Sequence, residues 1–156
     1  MRSKAIQRST TLLYDRDFVA WTFETARLIR SGLCSDVDLD HVAEEIEDMG
    51  RSATRELLSR LTVLLIHLLK WKCSAARPRG WHDTIAEQRD QLDGLFRDSP
   101  SLRRMLGSLI SEAYRKAVRR ASIQTGMPAD SFPRQCPFTE RQVLDVDFLP
   151  DDSTSG

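Results

Sequence analysis

Seven carboxylates, Asp36, Asp38, Asp40, Glu44, Glu45, Glu47 and Asp48, crowd thirteen consecutive residues that hold no Lys or Arg. His41 stands three and four residues before Glu44 and Glu45, a spacing that places an imidazole and two carboxylates on one helical turn. Helical di-metal bundles use such pairs, but they repeat the motif on partner helices, and this chain has only three histidines. The preferred reading is therefore metal-free: acids collect at the N-terminal end of a helix because its macrodipole favours them. No metal and no cofactor is expected.

A second constellation is Arg60 and His67, which at about 100° per residue lie close to the apolar stripe of the helix that carries them. Glu56 precedes Arg60 by four residues, and Asp17 and Glu24 flank the same edge of an earlier helix. With Glu45, these residues form a candidate polar inter-helix cluster: Asp17, Glu24, Glu45, Glu56, Arg60 and His67. Buried charges must be paired, so a structural network is preferred. The alternative is an enzyme pocket, metal-assisted or acid/base, with His67 as base or ligand and Arg60 holding an anion. In a continuous helix Glu45 and His67 stand ~33 Å apart, so only a hairpin at Gly50 lets them share a ligand.

The third constellation is basic and aromatic. Lys70, Trp71, Lys72, Arg77, Arg79 and Trp81 fall within twelve residues that contain no acid, a mixture suited to phosphates and stacked bases or to an anionic protein surface. The aromatic residues also continue core stripes, and cations suit the end of a helix, so nucleic-acid binding is disfavoured. Arg115, Lys116, Arg119 and Arg120 make a second basic patch, read as a solvated face. No GxSxG, P-loop, dinucleotide-binding glycine pattern or HExxH is present, so no catalytic residue is nominated.

The elements that must position these groups are helices. Tyr14, Phe18, Trp21, Thr25 and Leu28 line one face up to Gly32, with Asp15 placed to cap it. Leu39, Val42, Ile46, Met49, Ala53, Leu57, Leu61, Leu64 and Leu68 keep a common stripe, and Asp38 sits at its start. A glycine inside a helix costs only ~1 kcal/mol, so Gly50 is expected within one long helix over about 39–72. Arg77 to Gly80 breaks it. A third helix carries Trp81, Ile85, Leu92, Leu95 and Phe96; a fourth, capped by Ser99 with Pro100 in its first turn, carries Leu102, Met105, Leu106, Leu109, Ile110, Ala113 and Ala117 up to Gly126. Thr139 and Gln142 form a capping-box pattern for a short C-terminal helix. The predicted architecture is all-α: a bundle of three or four major helices, with Trp21, Leu28, Ile46, Leu61, Leu64, Leu68, Leu95, Leu106 and Leu109 in its core. One helical domain is expected over 13–150, with flexible ends at 1–12 and 151–156.

The blocks YDRDFVAWTFETARLIR, DLDHVAEEIEDMGRS, LLIHLLKWK, DSPSLRRML, EAYRKA, TGMPADSFP and VLDVDFLP, in that order, resemble the bacterial family known as domain of unknown function 29 over residues 14–150. The resemblance implies a small helical intracellular bacterial protein and brings no activity, substrate or cofactor with it. Gly94 stands where the family would carry another charged residue, which loosens the third helix locally.

At 17.8 kDa and zero formal net charge, the chain has no global field for nucleic acid or an anionic membrane. Cys34, Cys73 and Cys136 are odd in number and lack metal-ligand spacing, which fits reduced thiols and a cytoplasmic location. No run is long and apolar enough for a membrane span, and MRSKAIQRST lacks the apolar core of a signal peptide. The expected role is a non-catalytic protein-interaction module, binding a protein partner or a second copy of itself through the acidic start and basic end of the long helix.

Overall fold

The structure, a computed structural model, describes residues 10–150, and among these the chain is helical without a strand. It divides into two compact units, one ending at Arg51 and the other beginning at Ser52.

In the first unit, α1 covers 10–16 and α2 spans Phe18–Arg30. The expected single helix from Tyr14 to Gly32 is thus interrupted, and the cap is Asp17 rather than Asp15. Asp17 leaves helical dihedrals, and its carboxylate accepts the Ala20 N–H at 3.0 Å. Trp21, Thr25 and Leu28 form the buried face of α2. Gly32, at φ 73°, makes the left-handed turn that ends the helix. Asp38 then caps α3, Leu39–Cys73, by accepting the His41 N–H at 3.3 Å. Residues 10–12, expected to be flexible, are helical, and the buried Thr10 donates its hydroxyl to the Asp36 carbonyl. The other expected flexible residues, 1–9 and 151–156, lie outside the described residues.

α3 continues through Gly50 unbroken. Its share of the second unit holds Leu57, Leu61, Leu64, Leu65, Leu68 and Leu69, all fully buried. Around them pack α4 (Arg79–Asp98) through Ile85, Leu92 and Phe96, and α5 (Leu106–Thr125) through Leu106, Ile110, Ala113, Ala117 and Ala121. The three alanines recur every fourth residue, a ridge of small side chains that suits close packing on a neighbouring helix. Ser99 makes no side-chain capping bond. Pro100 instead opens a 3-10 stretch, Pro100–Met105, so α5 begins only at Leu106. Gly126, at φ 71°, closes it. The capping box of α6, Glu140–Leu144, is reciprocal: Gln142 N donates to Thr139 Oγ1 at 3.2 Å and Thr139 N to Gln142 Oε1 at 3.0 Å.

α6 is only five residues long and cannot be stable alone. Arg89, 3% exposed in the middle of the apolar stripe of α4, holds it in place. Its guanidinium donates to the carbonyls of Val143 (2.9 Å), Phe148 (2.9 Å) and Gln142 (3.1 Å), so one planar cation satisfies the last-turn carbonyls of α6 and the chain beyond. Burial lowers its pKa and the Asp145 carboxylate opposes that shift, but an arginine stays charged throughout.

Replacing Arg89 by methionine should therefore destabilise the second unit by ~3 kcal/mol, since a buried charge-assisted donor is lost from one buried and two half-buried carbonyls. Arg89→Lys should recover only part of the loss, because an ammonium cannot match the fork. Urea denaturation with amide exchange over 140–148 measures both; unchanged stability and protection in Arg89→Met would remove the clamp from the account.

Candidate functional site

In the first unit three residues of the α3 stripe are exposed, while Val42 is half-buried. On α3, Leu39 is 60%, Ile46 63% and Met49 74% exposed, although the pattern predicted Ile46 in the core. That expectation is corrected for a physical reason: periodicity defines a face, not what covers it. With Val42 and Ala53 these residues follow a 3-4-3-4 spacing, the seam by which one helix receives another. On α2, Val19 (63% exposed) and Phe23 (73% exposed) form a second ridge four residues apart.

The flank of α3 beside the seam is held by polar chemistry. Tyr14 donates its hydroxyl to Glu45 Oε1 at 2.6 Å, and its ring stacks on His41 at 3.9 Å between centroids. His41 Nδ1 lies 2.8 Å from Asp38 Oδ2, which also accepts the Thr11 hydroxyl. A carboxylate can only accept, so Nδ1 carries the proton. The bond to Asp38 raises the His41 pKa against the opposing effect of burial, helped by the charges of Asp38, Glu44 and Asp15. Burial works against an ionised Asp38, but bonds from Thr11 and His41 prevail and lower its pKa. Hydrogen bonding to Glu45, followed by burial and nearby acids, pushes Tyr14 up to about 12, so it remains a donor. Thus the acidic run that suggested metal ligands spends Asp38 and Glu45 on fixing α3 to α1. Among the described residues no three His, Cys, Asp or Glu side chains are grouped to hold a metal ion.

Within each unit the residues of the expected polar cluster have these partners. Asp17 caps α2, Glu24 pairs with Arg27 at 2.6 Å, and Glu45 binds Tyr14. Glu56 and Arg60 are brought together at 3.3 Å, with side chains 47% and 32% exposed, a pair worth only a few tenths of a kcal/mol. His67, half-buried, bonds the Val63 carbonyl at 2.9 Å, so its Nδ1 is the protonated nitrogen. Burial lowers its pKa despite that bond, with Lys70 adding to the decrease.

In the basic-aromatic segment the cations meet their own rings. Lys70 is buried, its Nζ 4.4 Å from the Trp81 ring centroid and 3.0 Å from Gln124 Oε1, and burial lowers its pKa. Arg77 lies over Trp71 at 5.4 Å and donates to its carbonyl. Lys72 is half-buried, and Arg79 stays exposed at the start of α4. Sequence reasoning missed Arg89, although a charged residue between Ile85, Leu92 and Phe96 on one stripe was its signal.

The chain matches the family model "Domain of unknown function DUF29" over residues 13–149, nearly its whole length. It belongs to the DUF29 family. No curated protein and no solved structure gives a significant match. For a DUF29 chain, then, the chemistry must be read from its own surface. No described helix is long and apolar enough to cross a membrane, and Cys34, Cys73 and Cys136 are all free thiols.

The Asp38–His41 bond gives the first unit a pH signature. A raised imidazole pKa contributes stability that is complete below the ordinary value, ~6.5, and is lost as pH climbs through the raised one. The lowered Asp38 contributes above the ordinary carboxylate value and loses its share as pH falls through its lowered one. Histidine NMR titration should find His41 above the ordinary value, and Asp38→Asn should bring it down; His41 at or below that value in the native chain would contradict the pairing.

Proposed function

We propose that this DUF29 chain is a non-catalytic protein-interaction module whose docking surface is the Leu39–Ile46–Met49 seam of the first unit. The exposure of these three side chains carries the reading. Covering each of them yields up to ~1.5 to 3 kcal/mol, enough for a helix-in-groove or coiled-coil contact to hold a partner. Charge selects the partner. Residues 10–51 hold ten Asp and Glu against four Arg, and Asp40, Glu44, Glu47 and Asp48 lie on the exposed side of the same helix. The partner that fits is an amphipathic helix with a basic rim.

The second unit has the opposite balance, sixteen Lys and Arg against eleven Asp and Glu over 52–150. That segregation makes the basic surface of another copy one chemically suitable partner. Three free thiols support a reducing, cytoplasmic setting, and the family resemblance supports a bacterial one.

The test uses a synthetic helix with leucine at its a and d positions and lysine at e and g. It should bind the whole protein in calorimetry, a scrambled peptide of equal charge should bind at least about tenfold more weakly, and Ile46→Glu should abolish the preference without loss of helicity. Equal binding of both peptides, or preserved discrimination in Ile46→Glu, would overturn the seam as the docking surface.

A further inference from the structure

In the second unit, the surface around Arg115 and Arg134 takes no part in the α3 seam. Arg115 on α5 and Arg134 in the segment that follows it both line two adjoining cavities, of about 480 and 550 Å³, and Tyr114 is common to both. The larger is bounded by Ile110, Ser111, Gln135, Cys136 and Phe138 as well, so it contains two guanidinium groups and no carboxylate. Asp130 borders only the smaller. Neither arginine forms an ion pair or hydrogen bond with any described side chain. Glu112, the acid nearest in sequence to Arg115, is bonded to Lys116 at 2.7 Å, and the charge of Arg115 adds to the lowering of its pKa.

The arginines are held in place by ordered backbone. Tyr114, 3% exposed, donates its hydroxyl to the Pro133 carbonyl at 2.6 Å, directly before Arg134. Burial raises the Tyr114 pKa, with Cys136 and Cys73 adding to it, so that donor persists. Phe132 and Phe138, both buried, anchor the segment on either side, and Pro133 and Pro137 restrict its backbone. Arg134 is thus presented from a tethered arch, opposite a helix that carries Arg115.

We propose that this cleft is a binding site for a small organic anion, a phosphate monoester or a carboxylate with a flat apolar body. Two guanidinium forks provide planar, charge-assisted donors for the anionic group. Ile110, Phe138 and the Cys136 thiol provide an apolar wall for the body. Arg119 and Arg120 add a positive field that would raise the local concentration of such ligands. The site is independent of the α3 seam, so either can fail without the other.

Phenyl phosphate is the probe. Calorimetry on the full chain should give saturable one-site binding, and saturation-transfer NMR should place the phenyl ring against Phe138 and Ile110. Arg115→Gln and Arg134→Gln should each weaken binding about tenfold or more, with unliganded melting temperatures unchanged because both side chains are exposed. Arg119→Gln, on the same helix but outside the cavities, should change affinity less than about twofold, the range of screened long-range charge. Inorganic phosphate should bind more weakly than phenyl phosphate and compete with it. Absence of saturable binding, ring contacts elsewhere, or equal losses in Arg119→Gln and Arg134→Gln would overturn the site.

Discussion

A helix that is amphipathic along its whole length requires cover along its whole length, and α3 has one continuous stripe from Leu39 to Leu69. From Leu57 onward that requirement is met: six leucines are fully buried among α4, α5 and the C-terminal segment. Before Ala53 it is met only in part, at the half-buried Val42, and Leu39, Ile46 and Met49 stay in water. The same sequence rule therefore generates a core at one end of α3 and an interaction surface at the other. The chain's zero net charge conceals a matching division, acidic up to Arg51 and basic beyond it.

The second unit shows how a segment with little apolar pattern can still be fixed. α6 and the residues after it bury Val143 but derive their position from the Arg89 guanidinium, which replaces water at three carbonyls. Tyr114 does the same for the segment around Pro133 with one hydroxyl. Both are side chains of the main helices donating to carbonyls at a helix end or in irregular chain, which have no ladder partner of their own. The Tyr114 bond, directly before Arg134, sets that residue as a wall of a defined cleft.

Most of the helix signals were legible because they are local. Asp38 as cap, Gly126 as terminator and the Thr139–Gln142 box each depend on residues within one turn. Gly50 within a continuous helix followed from the stripe keeping its phase. The errors arose where cover or competition decides: Ile46 belongs to a stripe whose partner no periodicity reveals, and Asp17 prevailed over Asp15 because the chain breaks one residue before Phe18. The candidate site was legible only as residue types. Glu45 and His41 were marked as chemistry-bearing, but their partner Tyr14 lies 31 residues from Glu45, beyond any local pattern. Arg134 carried no signal, since its importance depends on a fold that places it beside Arg115.

Whether the first stretch of α3 presents an exposed seam rather than a core face is measured most directly by stability under substitution. Ile46→Glu and Leu61→Ala are to be compared by urea denaturation of dilute protein, where self-association cannot cover the seam. Ile46→Glu should leave stability within about 0.5 kcal/mol of the parent, as surface substitutions do. Leu61→Ala should lose about 2 to 5 kcal/mol. A loss in Ile46→Glu as large as that in Leu61→Ala would show the seam to be buried in the folded chain and would contradict the docking surface.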